Sequence, residues 1–144
     1  MIEENMRLEN QLCFALYAAS RKVVSLYTPL LKPLGLTYTQ YLVFLVLWEN
    51  DGQTVGDICR KLYLDSGTVT PLLKKMEEAG YVTRTRQKDD ERVVTVSLTE
   101  KGRQMKEVCA RVPEKVGSCV HMEAEDAAKL YELLYRTLGA VCNE

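Results

Sequence analysis

The chain has 144 residues, 47% of them apolar and 27% charged, with a net charge of −1 at pH 7. These are the proportions of one ordinary soluble domain. No apolar run approaches the roughly 20 residues of a membrane span, no basic-then-apolar leader opens the chain, and the near-zero charge means that any binding to nucleic acid must rest on where the cations sit.

In chain order, Leu8, Leu12, Leu16, Ala19, Val23, Leu26 and Leu30 predict a long amphipathic helix. It carries Cys13, with Tyr17 one turn later on the same face and Glu9 one turn before. Tyr41 to Trp48 is apolar enough only for a buried helix segment.

Thr54 then opens a short helix. It is a capping residue with Asp57 three positions on, and Val55, Ile58, Cys59 and Leu62 form one apolar stripe. Tyr63-Leu64-Asp65 predicts a turn, and a second helix is expected from Ser66 or Thr68, either of which can cap. Val69, Leu72, Leu73 and Met76 repeat the stripe, and Gly80 suits the stop. Pro71 is expected in the first turn, where a missing N–H costs little. Ser66, Thr68, Thr70, Pro71, Lys74 and Lys75 are left on the outer face, where hydroxyls and lysines can reach phosphates and base edges. The bland alternative is the solvated face of any amphipathic helix.

Two alternating runs follow, Tyr81 to Arg86 and Arg92 to Leu98, joined by the polar Gln87-Lys88-Asp89-Asp90-Glu91. This is a two-stranded hairpin with a charged tip. Arg84, Arg86, Lys88 and Arg92 could follow a DNA backbone or enter its minor groove. Asp90 is expected to pair Arg92 or Arg84 and so fix the wing. Two short helices and a hairpin have the layout of a winged helix-turn-helix: mainly α with a small antiparallel β-wing.

Beyond the hairpin, Met105, Val108, Cys109 and Val112 form a stripe that Pro113 is expected to interrupt. From Ala127 to Cys142 the apolar residues fall on several faces: Leu130, Tyr131, Leu133, Leu134, Tyr135, Leu138 and Val141. A helix apolar on several sides is buried on several sides. In so small a protein a second subunit is the expected cover, giving a homodimer intertwined through its N- and C-terminal helices. We expect a single chain, 1–144, with a DNA-binding region at about 37–99 and a dimerisation region at about 5–36 and 100–144.

Five cysteines, at 13, 59, 109, 119 and 142, with no C-x-x-C and with His121 as the one histidine, do not have the spacing of a structural zinc site. No metal or cofactor is expected. The odd count and the absent leader favour reduced thiols in a cytoplasm. Core packing explains Cys59 and Cys109, and Cys142 is expected at the dimer seam. Periodicity alone would make Cys13 a packed helix residue too: Glu9 opposes a thiolate and no cation stands within one turn.

The residues carry a resemblance that changes this. Asp90-Glu91-Arg92 followed by Leu98-Thr99 resembles the D-x-R wing signature of the MarR family of bacterial regulators. Tyr63-Leu64-Asp65-Ser66-Gly67-Thr68-Val69-Thr70-Pro71-Leu72-Leu73-Lys74 resembles the recognition segment of its OhrR-type organic-hydroperoxide repressors, and Leu8 to Tyr17 their sensor helix. The match runs from about Leu8 to Thr99, with a looser echo to the end. It implies a cytoplasmic, non-enzymatic repressor that binds a pseudo-palindromic operator as a dimer and is released when an organic hydroperoxide oxidises Cys13 to a sulfenic acid. It also implies that Tyr27 and Tyr38 supply hydrogen bonds to the Cys13 sulfur, and Tyr17, one turn on along the same face, is expected as a third partner. Cys119, beyond Pro113, is the candidate resolving cysteine, with a small thiol as the other way to trap the sulfenic acid. Two rivals remain: a MarR-type repressor released by a phenolic or lipophilic ligand, with Cys13 merely lining the pocket, and a thiol peroxidase, in which the wing has no role.

Overall fold

The computed structural model describes residues 3–140. The expectations for Val141 and Cys142 lie outside the described residues. Two 3-10 turns, Glu4–Met6 and Leu8–Asn10, precede α1 (Leu12–Ser25), α2 (Thr28–Leu31) and α3 (Tyr38–Glu49). Then come β1 (Gln53–Thr54), α4 (Val55–Leu62), α5 (Ser66–Glu78), β2 (Val82–Arg86) and β3 (Val94–Leu98). The remaining elements are α6 (Glu100–Val108), α7 (Val112–Gly117) and α8 (Ala124–Ala140). Among the described residues, no single helix is long and apolar enough to cross a membrane.

Local chemistry sets the boundaries of the helix pair. Thr54 caps α4 through a reciprocal box: its hydroxyl oxygen accepts from the Asp57 amide, and the Asp57 carboxylate accepts from the Thr54 amide at 3.3 Å. The α4 C-terminus closes on Tyr63 at φ 54, the one non-glycine residue with positive φ among the described residues. There the Leu64 amide donates to the Cys59 carbonyl at 3.1 Å. Helix α5 ends in the same geometry with Gly80 at φ 78: the Tyr81 amide donates to the Met76 carbonyl and the Gly80 amide to that of Glu77.

Several expectations are corrected. The cap of α5 is Asp65, whose carboxylate accepts from the Thr68 amide at 2.8 Å, and not Ser66 or Thr68. Pro71 is the sixth residue of α5, beyond the first turn. Its missing N–H leaves the Gly67 carbonyl without its helical donor. The sheet has three strands in the order β1-β3-β2, because Gln53 and Thr54 pair antiparallel with Val96 and Thr95. The hairpin register runs from Val82 opposite Leu98 to Arg86 opposite Val94. Pro113 does not interrupt a helix but sits in the first turn of α7, while Val108 is exposed and lies off the buried stripe. The long N-terminal helix is three pieces, with Leu8 in a 3-10 turn and Leu30 in α2.

One core cluster joins the elements. Phe44, Leu47, Ile58, Leu73, Met76 and Val96 are fully buried, each worth about 1.5–3 kcal/mol by area. The cluster runs from Leu31 to Val116, so it passes both ends of 37–99. Trp48 stacks on Phe44 at 4.9 Å and donates its indole N–H to the Gly102 carbonyl at 3.0 Å, fastening α3 to α6. Helices α1 and α8 stand apart from this core: neither buries a residue. Leu12, Leu16 and Val23 on α1 and Leu130, Leu133, Leu134 and Leu138 on α8 are exposed in the protomer.

Candidate DNA-reading head and thiol sensor

Helix α5 buries Val69, Leu73 and Met76 against α3 and α4. Its opposite face presents Ser66, Thr68, Pro71, Lys74 and Lys75, all exposed, with Thr70 half-buried. The six residues expected on one outer face are therefore brought together on it. The wing lies beside them. Its tip is held by Asp90, which accepts from the Arg92 amide and from its Nε, both at 3.1 Å. Those donations keep the Asp90 carboxyl below its usual range, first through the Arg92 side chain and then through its amide. Arg86 donates to the Glu91 carbonyl at 2.8 Å. Arg86 and Arg92 remain exposed and available to a ligand.

Arg84, also expected to face DNA, is turned toward α5. Its side chain is 23% exposed and forks onto Glu77 of α5, with Nη2 at 3.1 Å and Nε at 3.3 Å from Oε1. The Arg84 amide donates to the other Glu77 oxygen at 2.9 Å. One carboxylate thus ties the first wing strand to the reading helix. The Glu77 pKa is lowered, first by the Arg84 amide and then by its guanidinium. The sequence signal, a glutamate seven positions before an arginine, is too common to have found this link.

The depressed folded-state pKa of Glu77 fixes the sign of a pH effect. Its contribution is present above the ordinary glutamate value of 4.5 and fades as pH falls through the lowered folded value. Glu77→Gln is expected to flatten acid denaturation below that value, read by circular dichroism from pH 6 to 2.5. An acid limb identical to that of wild type would exclude Glu77 as the tether.

On the sensor side, Cys13 is the second residue of α1 and is exposed. The first-turn amides of a helix lack intrahelical partners. Glu9, four residues earlier, is paired with Arg7 at 3.3 Å. Among the described residues, no hydrogen bond joins Cys13 to Tyr17, Tyr27 or Tyr38 within the protomer. Tyr17 is 55% exposed and accepts from Arg21 at 2.7 Å. Tyr27 and Tyr38 do come together, with ring centroids 4.6 Å apart, and Tyr41 lies 5.8 Å from Tyr27. Burial raises the Tyr38 pKa and pushes Tyr41 up to about 12, so both stay protonated donors at neutral pH. The other thiols among the described residues divide cleanly. Cys109 is buried and Cys59 half-buried, both raised by desolvation, whereas Cys119 is exposed beyond α7.

Comparison with known proteins follows this geometry. A family model described as transcriptional regulator SarA/Rot matches residues 25–108. The organic hydroperoxide resistance transcriptional regulator of Bacillus subtilis (strain 168) is 47% identical over 94% of this chain and 92% of its own length. The chain belongs to the SarA/Rot regulators, within the MarR-like winged-helix family. Among solved members, reduced AbfR bound to DNA superposes with a TM-score of 0.78 at 42% identity, over 95% of each chain. AbfR with its disulfide formed is also similar, at a TM-score of 0.67 and 43% identity over 95% of this chain and 93% of that one; AbfR is known from Staphylococcus epidermidis. The overoxidised form of AbfR bound to DNA matches almost equally, at a TM-score of 0.77, so this MarR-like chain lies nearer to the two DNA-bound forms than to the disulfide form.

Proposed function

We propose that this protein is a redox-sensing transcriptional repressor of the bacterial cytoplasm. It binds a pseudo-palindromic operator as a homodimer and leaves it when an organic hydroperoxide oxidises Cys13. The observation that carries this reading is an exposed thiol in the first turn of α1, a helix whose apolar face finds no cover in its own chain, in a protein whose remaining fold is a winged reading head. The names and states of the relatives support it: one is a hydroperoxide-resistance regulator, and another is known both on DNA and with a disulfide.

Residues 37–99 read DNA and the flanks dimerise, which sets two copies of α5 about one helical turn, roughly 34 Å, apart. Ser66, Thr68, Thr70, Pro71, Lys74 and Lys75 meet the groove, and Arg86 and Arg92 meet phosphate. Tyr27 and Tyr38, paired on the protomer but not joined to its own Cys13, face the thiol of the partner. In the oxidation, the Cys13 thiolate attacks a peroxide oxygen. An S–O bond forms, the O–O bond breaks, and the alkoxide leaves with the electron pair and takes a proton from water. Sulfur is oxidised to the sulfenic acid and the hydroperoxide reduced to an alcohol. Cys119 of the partner subunit, or a small thiol, then displaces water to give a disulfide. A disulfide needs Cα atoms within about 7 Å, so this step moves α1 against the C-terminal region and spoils both half-sites together.

Reduced protein titrated with cumene hydroperoxide on its own promoter DNA tests the reading. Wild type is expected to leave the DNA while Cys13→Ser stays bound, and non-reducing electrophoresis should show a crosslinked dimer that Cys119→Ser lacks. Equal release from both proteins would point instead to a ligand-released regulator. Catalytic consumption of peroxide, indifferent to wing substitutions, would point to a peroxidase.

The two arginine roles separate by salt. Arg92→Ala is expected to weaken binding to all sequences and lower the slope of log affinity against log salt by about 1 per lost phosphate contact. Arg84→Ala should weaken binding with the slope unchanged, because Arg84 holds the wing and not the phosphate. Matching slopes for Arg92→Ala and wild type, from fluorescence anisotropy at several salt concentrations, would assign Arg92 to wing geometry alone.

A further inference from the structure

We propose that Tyr63 is a further DNA-contacting residue, its hydroxyl donating to an operator phosphate at the edge of the groove that α5 enters; the role rests on the DNA-reading assignment of α5 above. Tyr63 closes α4 in the left-handed region, at φ 54 and ψ 38. That geometry at a helix end is the usual place of glycine, and sometimes of asparagine. For a bulky side chain it is strained and costs stability. Elsewhere among the described residues the chain follows the rule: Gly35, Gly52 and Gly80 hold the other positive φ angles, and Gly80 ends α5 with the same bond pattern that Tyr63 gives α4. The tyrosine side chain recovers little of its cost within the protomer. It is 64% exposed, and its hydroxyl has no hydrogen bond to another described residue. A strained backbone that its surroundings impose is a mark of a functional position.

The surroundings here impose it from both sides. The Tyr63 amide donates to the Arg60 carbonyl at 3.4 Å and the Leu64 amide to that of Cys59 at 3.1 Å. Leu64 packs against the core, and Asp65 is held as the cap of α5. Tyr63 therefore has a fixed backbone and a free ring. Its place in the motif says what the ring meets. In a helix-turn-helix the first helix crosses the phosphate backbone, and the second sets its N-terminal residues against base edges. The turn between them lies where the groove meets its strand. Exposed Lys61 stands on one side of Tyr63, and exposed Ser66 and Thr68 on the other. The acidic neighbours are engaged: Asp57 pairs with Arg60, and the Asp65 carboxylate accepts from the Thr68 amide at 2.8 Å. A phenol suits this position, because it donates to a phosphate oxygen without being charged itself.

The test is the affinity of full-length reduced protein for a duplex of its own promoter and for a scrambled duplex of equal length, by fluorescence anisotropy over a salt series, with thermal melts beside it. Wild type, Tyr63→Phe, Tyr63→Gly and Lys74→Ala are compared. Tyr63→Phe is expected to bind about tenfold more weakly per reading head, or about a hundredfold for a two-headed complex, the loss of one hydrogen bond to a charged group in each. The loss should be equal on both duplexes, since a phosphate carries no sequence. The salt slope should stay that of wild type, since a neutral hydroxyl displaces no counterion. Tyr63→Gly should weaken binding at least as much while raising the melting temperature by a few degrees, because glycine accepts the left-handed geometry without strain. A residue with a merely structural role would move stability and affinity in the same direction. Wild-type affinity in Tyr63→Phe would overturn the contact, and a loss confined to the promoter duplex would overturn its assignment to phosphate. Lys74→Ala, the control for α5, should weaken promoter binding whatever Tyr63 does. Unchanged binding there would overturn the placement of α5 in the groove, and the role of Tyr63 with it.

Discussion

Gly102→Ala is expected to cost about 1–3 kcal/mol, the usual range for overpacking a closed site, and to lower the melting temperature by several degrees. A Cβ at Gly102 would stand 2.2 Å from the Tyr81 carbonyl oxygen and 3.1 Å from Leu98 Cδ2. The carbonyl cannot swing aside easily. It also accepts from the Thr99 amide at 3.0 Å and the Thr99 hydroxyl at 3.1 Å, where β3 turns into α6. Gly102 itself donates to Thr99 and accepts from Trp48, so a shift of α6 breaks bonds on both sides. Gly117→Ala is the control, because a Cβ there meets nothing within 4 Å. Thermal melts of the two variants should diverge, with Gly117→Ala neutral or slightly stabilising. Equal melting temperatures would mean that the α6–wing junction has more room than its geometry indicates.

Leu133→Lys is expected to break the dimer and, with it, tight DNA binding. Leu133 is 54% exposed in the protomer, beside Leu130 and Leu134 on a helix that buries nothing in its own chain. Covering a leucine is worth about 1.5–3 kcal/mol. The lower figure applies to a side chain already half covered. Two-fold symmetry repeats the loss, so about 3 kcal/mol, or roughly two powers of ten in the dimer dissociation constant, should disappear. Sedimentation velocity over a dilution series reads this directly, and the wild-type melting temperature should rise with protein concentration. A wild type that is monomeric at micromolar concentration, with a concentration-independent melt, would remove the two-headed reading of the operator.

The reading head was the most legible part of the chain because short-range chemistry writes it. Thr54 and Asp57, the Ile58 and Val69 stripes, Gly80 and the alternating wing each act within a few residues. Ambiguity began where neighbouring residues could serve equally well. Asp65, Ser66 and Thr68 are all capping types, and the carboxylate of Asp65 took the position. Strand β1 has two residues and cannot alternate; it exists because β3 offers an unpaired edge. Arg84 looked like its fellow wing cations, and only the packing of β2 against α5 turned it toward Glu77. On the sensor side, the roles of Cys13, Tyr27 and Tyr38 rest on a resemblance, and that of Tyr17 on its spacing from Cys13. The protomer brings Tyr27 to Tyr38 and leaves Cys13 apart, since long-range proximity has no periodic signature.

The indole bond between α3 and α6 also has an optical consequence. Trp48 is the chain's single tryptophan. It stacks on Phe44, whose ring meets Tyr81 edge-on at 5.2 Å at the root of the wing, and Tyr41 stands 6.4 Å away on the side of the tyrosine pair. Its emission therefore arises from one place, between sensor and reading head, without a contaminating background from other indoles. Spectral shift, quenching and anisotropy of that fluorophore would follow the junction in real time, in unlabelled protein, as peroxide or operator is added.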